Sequence, residues 1–220
     1  MTDRANGTAQ VPRDRATTRA VSFATTAFRD SAGVATGDSR LPPGTTLLGN
    51  AAILNQPLLA LFCSVKCPGD LILQTYDLAR ALRDAGTAVI SGFHTPMERE
   101  CLDLLLRGTQ PVVICPARGI GRMLLPTPWK IPIAEGRLLV ASPFPPDHRR
   151  PTIDLAHRRN AFVAHLAAEV LVTYAHPNGT TARLATELAA AGKPLRTLDH
   201  PANAALLALG ATPFHLSTPA

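Results

Sequence analysis

The sequence contains few aromatic residues and no long apolar segment. Aromatic side chains make up 5% of its 220 residues, with a single Trp and two Tyr. Because bases stack on aromatic rings, a nucleic-acid ligand would be held mainly through its phosphates, and its binding should weaken with salt. No apolar run reaches the roughly 18 residues of a membrane span. The first 20 residues also lack the apolar core of a secretory signal. We therefore expect a cytoplasmic protein without a membrane partner.

Cysteine is also scarce, and its spacing gives little support to a metal site. The four cysteines are Cys63, Cys67, Cys101 and Cys115. Cys63 and Cys67 could supply two ligands, but a tetrahedral zinc site needs four converging donors, and the sequence has no second close pair. Free thiols are the expected state in a reducing cytosol. The sequence predicts neither a metal nor a cofactor.

Positive charge is present in excess. The chain has 22 Lys and Arg against 16 Asp and Glu, which gives a formal net charge of +6. The excess is dominated by arginine and is spread along the chain without a polybasic run. This charge favours an anionic partner, such as nucleic acid or a nucleotide.

Apolar strands alternate with helices over most of the chain. Residues 1–45 lack periodicity and predict a flexible arm, with a short helix or strand near 20–28, whereas residues 46–220 predict a single domain. Residues 47–56 predict a short helix that leads into this domain. Apolar runs predict strands at 58–63, 88–93, 111–117, 137–141, 169–175 and 194–198. The alternation is typical of an α/β fold with a doubly wound, mostly parallel, Rossmann-like sheet.

Capping residues predict where the helices begin. Residues 71–85 predict a helix with Asp70 as its N-cap. Thr95 and Glu98 have the spacing of a capping box, which predicts a second helix. Residues 118–133 are rich in proline and predict irregular structure.

A helix predicted over residues 152–167 carries an unusual polar pair, Arg159 and Asn160. The apolar stripe of this helix includes Asn160, and a buried amide needs hydrogen-bond partners. Asn160 could bond the backbone at the sheet edge or contact a phosphate, and the sequence does not decide between the two. For Arg159 we favour contact with a ligand, because a guanidinium matches phosphate geometry.

The polar turn after the strand at 169–175 is the strongest candidate for a binding site. It passes directly into a helix, and the exposed N–H groups of a helix N-terminus bind anions. The alternative is an ordinary helix cap with a glycine turn, and we favour a phosphate site. The candidate ligands in this turn are Asn178, Gly179, Thr180 and Thr181.

Loops after the earlier strands supply further candidates. In a parallel α/β sheet, ligands bind beyond the carboxyl ends of the strands, where these loops converge. Serine and glycine allow close approach of the backbone to a ligand, and basic residues contact the backbone of a nucleic acid. The candidates are Ser64, Lys66, Ser91, Gly92, Arg118 and Arg122.

The order of these motifs resembles a known family. They are, in chain order, Cys63-Ser64-Val65-Lys66, Ile90-Ser91-Gly92-Phe93, Arg159-Asn160, Asn178-Gly179-Thr180-Thr181-Ala182, and Asn203 followed by Gly210-Ala211. Over residues 47–213 the chain is similar to the Rossmann-like core of the DNA-processing protein A (DprA/Smf) family, within the superfamily that includes the LOG phosphoribohydrolases. The resemblance implies binding of single-stranded DNA, a homodimer, and a recombinase partner during transformation.

The sequence departs from the family pattern at three of these motifs. Cys63 stands where the family has Gly, Asn178 replaces a Ser, and only Arg159-Asn160 remains of an Arg-Asn-Arg triplet. The resemblance also leaves an alternative open, a nucleotide-binding sensor or a LOG-like phosphoribohydrolase with Glu187 as its catalytic residue. Because the turn has only Gly179 of the glycines usual in those hydrolases, we favour a protein without enzymatic activity. A third possibility is a scaffold that binds a protein partner.

Overall fold

A computed structural model describes residues 41–215, in which one sheet is flanked by helices. The short element predicted near residues 20–28, and most of the predicted arm, lie outside the described residues. The strands are β1 (Thr46–Gly49), β2 (Leu59–Cys63), β3 (Val89–Ser91), β4 (Val112–Ile114), β5 (Leu138–Ser142), β6 (Glu169–Tyr174), β7 (Leu195–Thr197) and β8 (Thr212–Pro213). The α-helices are α1 (Gly69–Asp84), α2 (Pro96–Leu105), α3 (Thr127–Ala134), α4 (Ile153–Leu166), α5 (Thr180–Ala190) and α6 (Ala204–Ala208).

The sheet confirms the predicted doubly wound, mostly parallel, Rossmann-like architecture. Its strand order is β1-β5-β4-β3-β2-β6-β7-β8. The pair β1–β5 is antiparallel, and the other neighbouring pairs are parallel. The chain builds outward from β2 to β5, returns through α4, and continues from β6 to β8 on the other side of β2. A topological switch point therefore lies between β2 and β6.

Helices cover both faces of the sheet, and the alternating side chains of β2 show this directly. Leu59 and Leu61 pack in an apolar cluster with residues of α1 and α2. Ala60 and Phe62 pack in a second cluster with residues of α4 and α5. Every residue of β2 is buried, which is why a continuous apolar run predicted this strand. Burial of each large apolar side chain stabilises the fold by roughly 1.5–3 kcal/mol.

The helix predicted over residues 47–56 is wrong in its first half. Thr46–Gly49 forms β1, which pairs with β5, and only Ala51–Asn55 is helical, as a 3₁₀ turn. Gly49 ends the strand with a φ of 110°, in the left-handed region that favours glycine. The side chain of Asn50 then accepts a hydrogen bond of 3.1 Å from the Ala52 N–H. A four-residue edge strand is too short for a period to be read from the sequence.

Two further elements were missed because their sequences look irregular. The proline-rich segment 118–133 was predicted to be irregular, but α3 begins at Thr127 and contains Pro132. The short strand β8 follows α6 and pairs with β7. Prolines in and near α3, and the two-residue length of β8, hide both elements from a reading of apolar periodicity.

The predicted helix starts are partly confirmed. Thr95 and Glu98 form the capping box of α2, in which each side chain accepts a hydrogen bond from the backbone of the other. The assignment of Asp70 as the N-cap of α1 is wrong, because Pro68 occupies that position. Asp70 lies in the first turn instead, where it pairs with His200 at 2.6 Å. The pair links the start of α1 to the loop after β7.

Candidate nucleic-acid interface

Ser64 joins the two loops that flank the switch point. Its backbone N–H donates to the Tyr174 carbonyl at 2.9 Å, and its Oγ accepts a hydrogen bond from the His176 N–H at 2.9 Å. The first contact anchors the end of β2 to the end of β6, and the second fixes the start of the next turn. Ser64 is buried. This predicted phosphate ligand therefore holds the loop after β2 against the turn before α5.

The turn before α5 presents a helix N-terminus without a side-chain cap. Asn178 adopts a left-handed φ of 59°, and the Gly179 N–H donates to the His176 carbonyl at 2.9 Å. Gly179 is the N-cap and offers no side chain, and α5 has no acidic residue in its first turn. The first N–H groups of a helix have no intrahelical partner, and they carry a partial positive charge. These groups and the exposed hydroxyl of Thr180 are free to meet an anion.

Glycine fits the helix cap better than any residue with a Cβ. A Cβ built on Gly179 would lie 2.9 Å from the His176 carbonyl oxygen, which is closer than real Cβ contacts allow. Thr181 follows within the first turn of α5 and is partly exposed. The structure therefore brings the four predicted turn residues together at one end of α5.

Lys66 is an uncompensated cation beside this helix end. It lies in the loop between Ser64 and α1 and is exposed to solvent. Within residues 41–215 its ammonium group makes no ion pair or hydrogen bond to a neighbouring side chain. Because Ser64 ties this loop to the turn before α5, Lys66 extends from the same part of the sheet edge as the N-terminus of α5.

Arg159 and Glu98 form a buried polar junction behind the loops. Arg159 is 4% exposed and donates to the Cys115 carbonyl at 3.1 Å and to Asn160 Oδ1 at 2.7 Å. Glu98 accepts hydrogen bonds from the backbone N–H groups of Cys63 (3.1 Å), His94 (2.8 Å) and Thr95 (3.3 Å). The junction thus holds together the ends of β2, β3 and β4.

Burial shifts the pKa values of both charged groups in the junction. Loss of solvent raises the pKa of the Glu98 carboxyl, and the backbone N–H donors and the positive charge of Arg159 oppose this rise. Burial also lowers the pKa of Arg159, and the nearby Glu98 carboxylate opposes that change. Each charge therefore stabilises the ionised form of the other in an environment that disfavours both.

The inward position on α4 differs from the prediction by one residue. Asn160 was expected on the inward stripe, but it is only partly buried, and Arg159 is the polar residue that faces the core. The stripe actually runs through Leu155, Phe162 and Val163. Asn160 orients the guanidinium of Arg159, which in turn is directed into the protein. Because its bonds to Asn160 and to the Cys115 carbonyl hold the guanidinium inside the protein, Arg159 does not lie on the surface, where a DNA phosphate would bind.

Ser91 and Gly92 have structural surroundings that explain their presence at the end of β3. The Ser91 hydroxyl is fully buried, donates to the Leu61 carbonyl at 2.7 Å and accepts from the Phe93 N–H at 3.2 Å. A Cβ on Gly92 would overlap the guanidinium of Arg159. Glycine is therefore needed for Arg159 to reach the loop. Both residues shape the predicted site from beneath.

Arg118 and Arg122 lie further along the same edge, in the long loop after β4. They line a cavity together with Arg149, which comes from the loop after β5. Two strand spacings of about 4.8 Å separate β4 from β2, so this cavity lies on the order of 10 Å or more from Lys66 along the edge. The predicted residues thus form two groups on one edge rather than a single cluster.

The residues proposed for the alternative hydrolase do not converge on the turn. Glu187 is exposed, and seven residues separate it from Thr180, which corresponds to about 10 Å along the helix axis. Among the residues 41–215, no group of three or more His, Cys, Asp or Glu side chains is arranged to hold a metal ion. No helix in the same range has the length and apolar character required to cross a membrane.

Sequence reasoning missed two features of this edge. Arg149 was not singled out, although it lies in a loop after a predicted strand, which is the signal that identified Arg118. The hydrogen bond from the Cys63 N–H to the Glu98 carboxylate was also missed, because the capping box by itself explained why a Glu stands at position 98. Only the strand order places the start of α2 against the end of β2.

The fold is that of DNA processing protein A. The structure of this protein from Streptococcus pneumoniae superposes with a TM-score of 0.63 at 17% identity, over 77% of this chain and 62% of that one. The protein from Helicobacter pylori, whose structure concerns its mode of binding single-stranded DNA, superposes with a TM-score of 0.62 at 19% identity. That match covers 79% of this chain and 81% of the other.

This similarity is one of fold. The chain spans 62% of the length of the Streptococcus pneumoniae protein. No protein-family model matches the sequence, and no curated protein matches it.

Proposed function

We propose that this chain binds single-stranded DNA along the carboxyl edge of its sheet, as a DNA-processing protein A-like protein that acts in DNA uptake and recombination. The observation that carries the proposal is the joining, through Ser64, of a lysine-bearing loop to an uncapped helix N-terminus. This arrangement supplies a point charge and several backbone donors to one phosphate. The Helicobacter pylori protein of the same fold binds single-stranded DNA.

The distribution of charge along the edge supports a strand-shaped ligand. Lys66 and the N-terminus of α5 lie at the switch point, and Arg118 and Arg122 lie beyond β3 on the same edge. Contacts of these kinds bind successive phosphates and carry no sequence information. Because aromatic residues are scarce and Tyr174, at the end of β6, is buried, stacking contributes little at this site. We therefore expect binding that depends weakly on sequence and strongly on salt.

The cellular setting follows from the same proposal. A protein that handles single-stranded DNA during uptake would act in the cytoplasm, as a homodimer with a recombinase as partner, in the manner that the family resemblance implies. Light scattering in solution tests the homodimer, with a monomer mass of 23.3 kDa as the reference.

A nucleotide is the second candidate ligand. The observation in its favour is that the N-terminus of α5 forms a cradle for a single phosphate, which a mononucleotide would satisfy as well as a strand would. The position of Glu187 favours a sensor over a hydrolase. A nucleotide would not engage Lys66 and the arginines beyond β3 at the same time, and this difference separates the two candidates.

A salt titration with fluorescent single-stranded DNA tests the proposal. The affinity should fall as the salt concentration rises, with a slope of about −0.7 for each phosphate contact. Lys66→Ala removes one such contact, so it should weaken binding at low salt and reduce the slope by about 0.7. Fluorescence anisotropy at several salt concentrations measures both quantities.

Arg107→Ala provides the matched control. Arg107 is exposed and follows α2 at the opposite edge of the sheet, so its loss removes one positive charge without affecting the proposed path. This variant should keep the slope of the parent protein. If the parent protein does not bind the oligonucleotide even at low salt, or if both variants change the slope equally, the proposal fails. Binding of mononucleotides alone would instead support the second candidate.

A further inference from the structure

A small cavity opens between the loop after β4 and the loop after β5. Its volume is about 170 Å³, and it is lined by Arg118, Gly119, Arg122, Met123, Pro146 and Arg149. Three of the six lining residues are therefore arginines, contributed by two different loops. No aromatic side chain lines the cavity, so it offers no surface on which a base could stack.

The two loops are fastened together along their backbones. The Gly119 N–H donates to the His148 carbonyl at 2.8 Å, and the Gly121 N–H donates to the Pro146 carbonyl at 3.2 Å. The Ser142 hydroxyl donates to the Arg118 carbonyl at 2.8 Å. A Cβ on Gly119 would overlap the Pro145 carbonyl, so glycine is required for this close approach. The arginine side chains thus extend from a fixed frame, which favours binding by reducing the ordering that a ligand must impose.

The three arginines have no internal counter-charge. Across residues 41–215, the guanidinium groups of Arg118, Arg122 and Arg149 make no ion pair and no hydrogen bond. Other arginines of the chain do find carboxylates, as Arg137 does with Glu135 and Arg196 does with Glu169. Like charges that line one cavity without a carboxylate repel one another, and an anion would relieve this repulsion.

The size of the cavity limits what that anion can be. Pockets that enclose drug-sized ligands have volumes of roughly 300–1,000 Å³, so this one accepts a single anionic group rather than a whole nucleotide. A phosphate matches the planar donors of arginine. A phosphate monoester carries about −1.5 to −2 charges at neutral pH and three acceptor oxygens, whereas an internal phosphodiester carries a single negative charge. Three guanidinium groups from two loops therefore match the monoester better.

We propose that the cavity of Arg118, Arg122 and Arg149 binds a phosphate monoester, and that its ligand is the phosphorylated end of a DNA strand. The identity of the ligand rests on the proposed single-stranded DNA function. In this arrangement Lys66 and the N-terminus of α5 bind internal phosphates, and the arginine cavity fixes the position at which the strand ends.

The test compares oligonucleotides of one sequence with a 5′-phosphate, a 3′-phosphate or neither, by fluorescence anisotropy with the full chain. One of the two phosphorylated forms should bind about tenfold more tightly than the unphosphorylated form. The double variant Arg118→Ala, Arg122→Ala should bring this ratio to about one. Lys66→Ala should weaken binding of all three forms and leave the ratio unchanged. The control Arg107→Ala should leave both the affinity and the ratio unchanged.

Equal affinity for the three forms overturns this inference while it leaves the proposed function intact. Failure of every oligonucleotide to bind overturns the proposed function itself. In that case titration with inorganic phosphate, followed through the arginine Nε–H signals in NMR spectra, tests the cavity alone. Perturbation of Arg118 and Arg122 signals supports a phosphate site there, and unchanged signals exclude it. Thymidine monophosphate that binds as tightly as the phosphorylated strand would identify a free nucleotide, rather than a strand end, as the ligand.

Discussion

Single residues at the carboxyl edge divide into those that hold the loops and those that remain available to a ligand. Ser64, Ser91 and Arg159 are buried and bonded to the backbone, whereas Lys66 and Thr180 are exposed. The sequence singled out all of these positions, because polar residues that follow an apolar run, or that stand on a predicted helix as Arg159 does, are visible in it. It could not separate the two groups, because the rotation of α4 that turns Arg159 inward, rather than Asn160, depends on tertiary packing.

Cys67 should be the most reactive of the four thiols. It is the only cysteine that is not buried, and a hydrogen bond from Cys63 lowers the pKa of its thiol. Burial raises the pKa of Cys101 and of Cys115 to about 12, and the pKa of Cys63 is also raised, mainly by its hydrogen bond to Cys67. Iodoacetamide should therefore modify Cys67 first, as measured by mass spectrometry of peptides.

The same labelling reaction reports on the proposed site. Because Cys67 follows Lys66, saturating single-stranded DNA should slow its modification. In urea all four cysteines should react at similar rates, which serves as the control. Modification of Cys101 or Cys115 as fast as Cys67 in the folded protein would contradict the prediction.

Glu98→Ala should be strongly destabilising. The substitution leaves one buried backbone N–H group (Cys63) and two partly buried ones (His94 and Thr95) without an acceptor, and it leaves the buried Arg159 without the nearby carboxylate. The free energy of unfolding should fall by about 3 kcal/mol, measured by urea denaturation. Glu100→Ala, on the exposed face of the same helix, should change it by less than about 0.5 kcal/mol. A loss below about 1 kcal/mol for Glu98→Ala would show that the junction is not required.

At the scale of elements, the N-terminus of α5 is where stability and proposed function oppose each other. The cap is a glycine and the first turn has no acidic residue, although both features leave the helix less stable than it could be. The strand, the turn and the helix here were predicted from sequence because each is long or carries a strong turn signal. The short strands β1 and β8 were not, because an edge pairing depends on residues far away in the chain.

Thr180→Asp should separate these two effects. A carboxylate at the first position of α5 interacts favourably with the helix dipole, so the free energy of unfolding should rise by about 0.5 kcal/mol. The same charge should repel a phosphate, so binding of single-stranded DNA should weaken by about tenfold or more. Thermal unfolding and anisotropy measure the two quantities. Thr180→Asn, which adds no charge, is the control, and equal DNA binding by both variants would argue against a phosphate at this helix.

At the scale of the whole molecule, the sequence predicted the α/β class and the doubly wound sheet. Six apolar runs correspond to β2 to β7, since buried parallel strands are apolar along their whole length. The division of the proposed site into two groups could not be predicted, because it depends on the strand order. Lys66 follows β2 and Arg118 follows β4, and β3 lies between these two strands in the sheet.

Limited proteolysis tests the predicted boundary between arm and domain. If residues 1–45 are a flexible arm, trypsin should cleave first at the arginines among them, because flexible segments fit a protease site and a paired sheet does not. Mass spectrometry should then show a resistant fragment that retains β1 and binds single-stranded DNA. Initial cleavage between β1 and β8, with the first 45 residues intact, would contradict this boundary.

The outer strands of the sheet have a consequence for self-association. β1 has four residues and β8 has two, one of which is Pro213, so neither edge offers a long row of unpaired backbone groups. Short edges and proline oppose the edge-to-edge stacking that leads to fibrils. Within residues 41–215 the sheet therefore offers no long edge as a template for polymerisation, and a homodimer formed by this part of the chain would use its helices or loops.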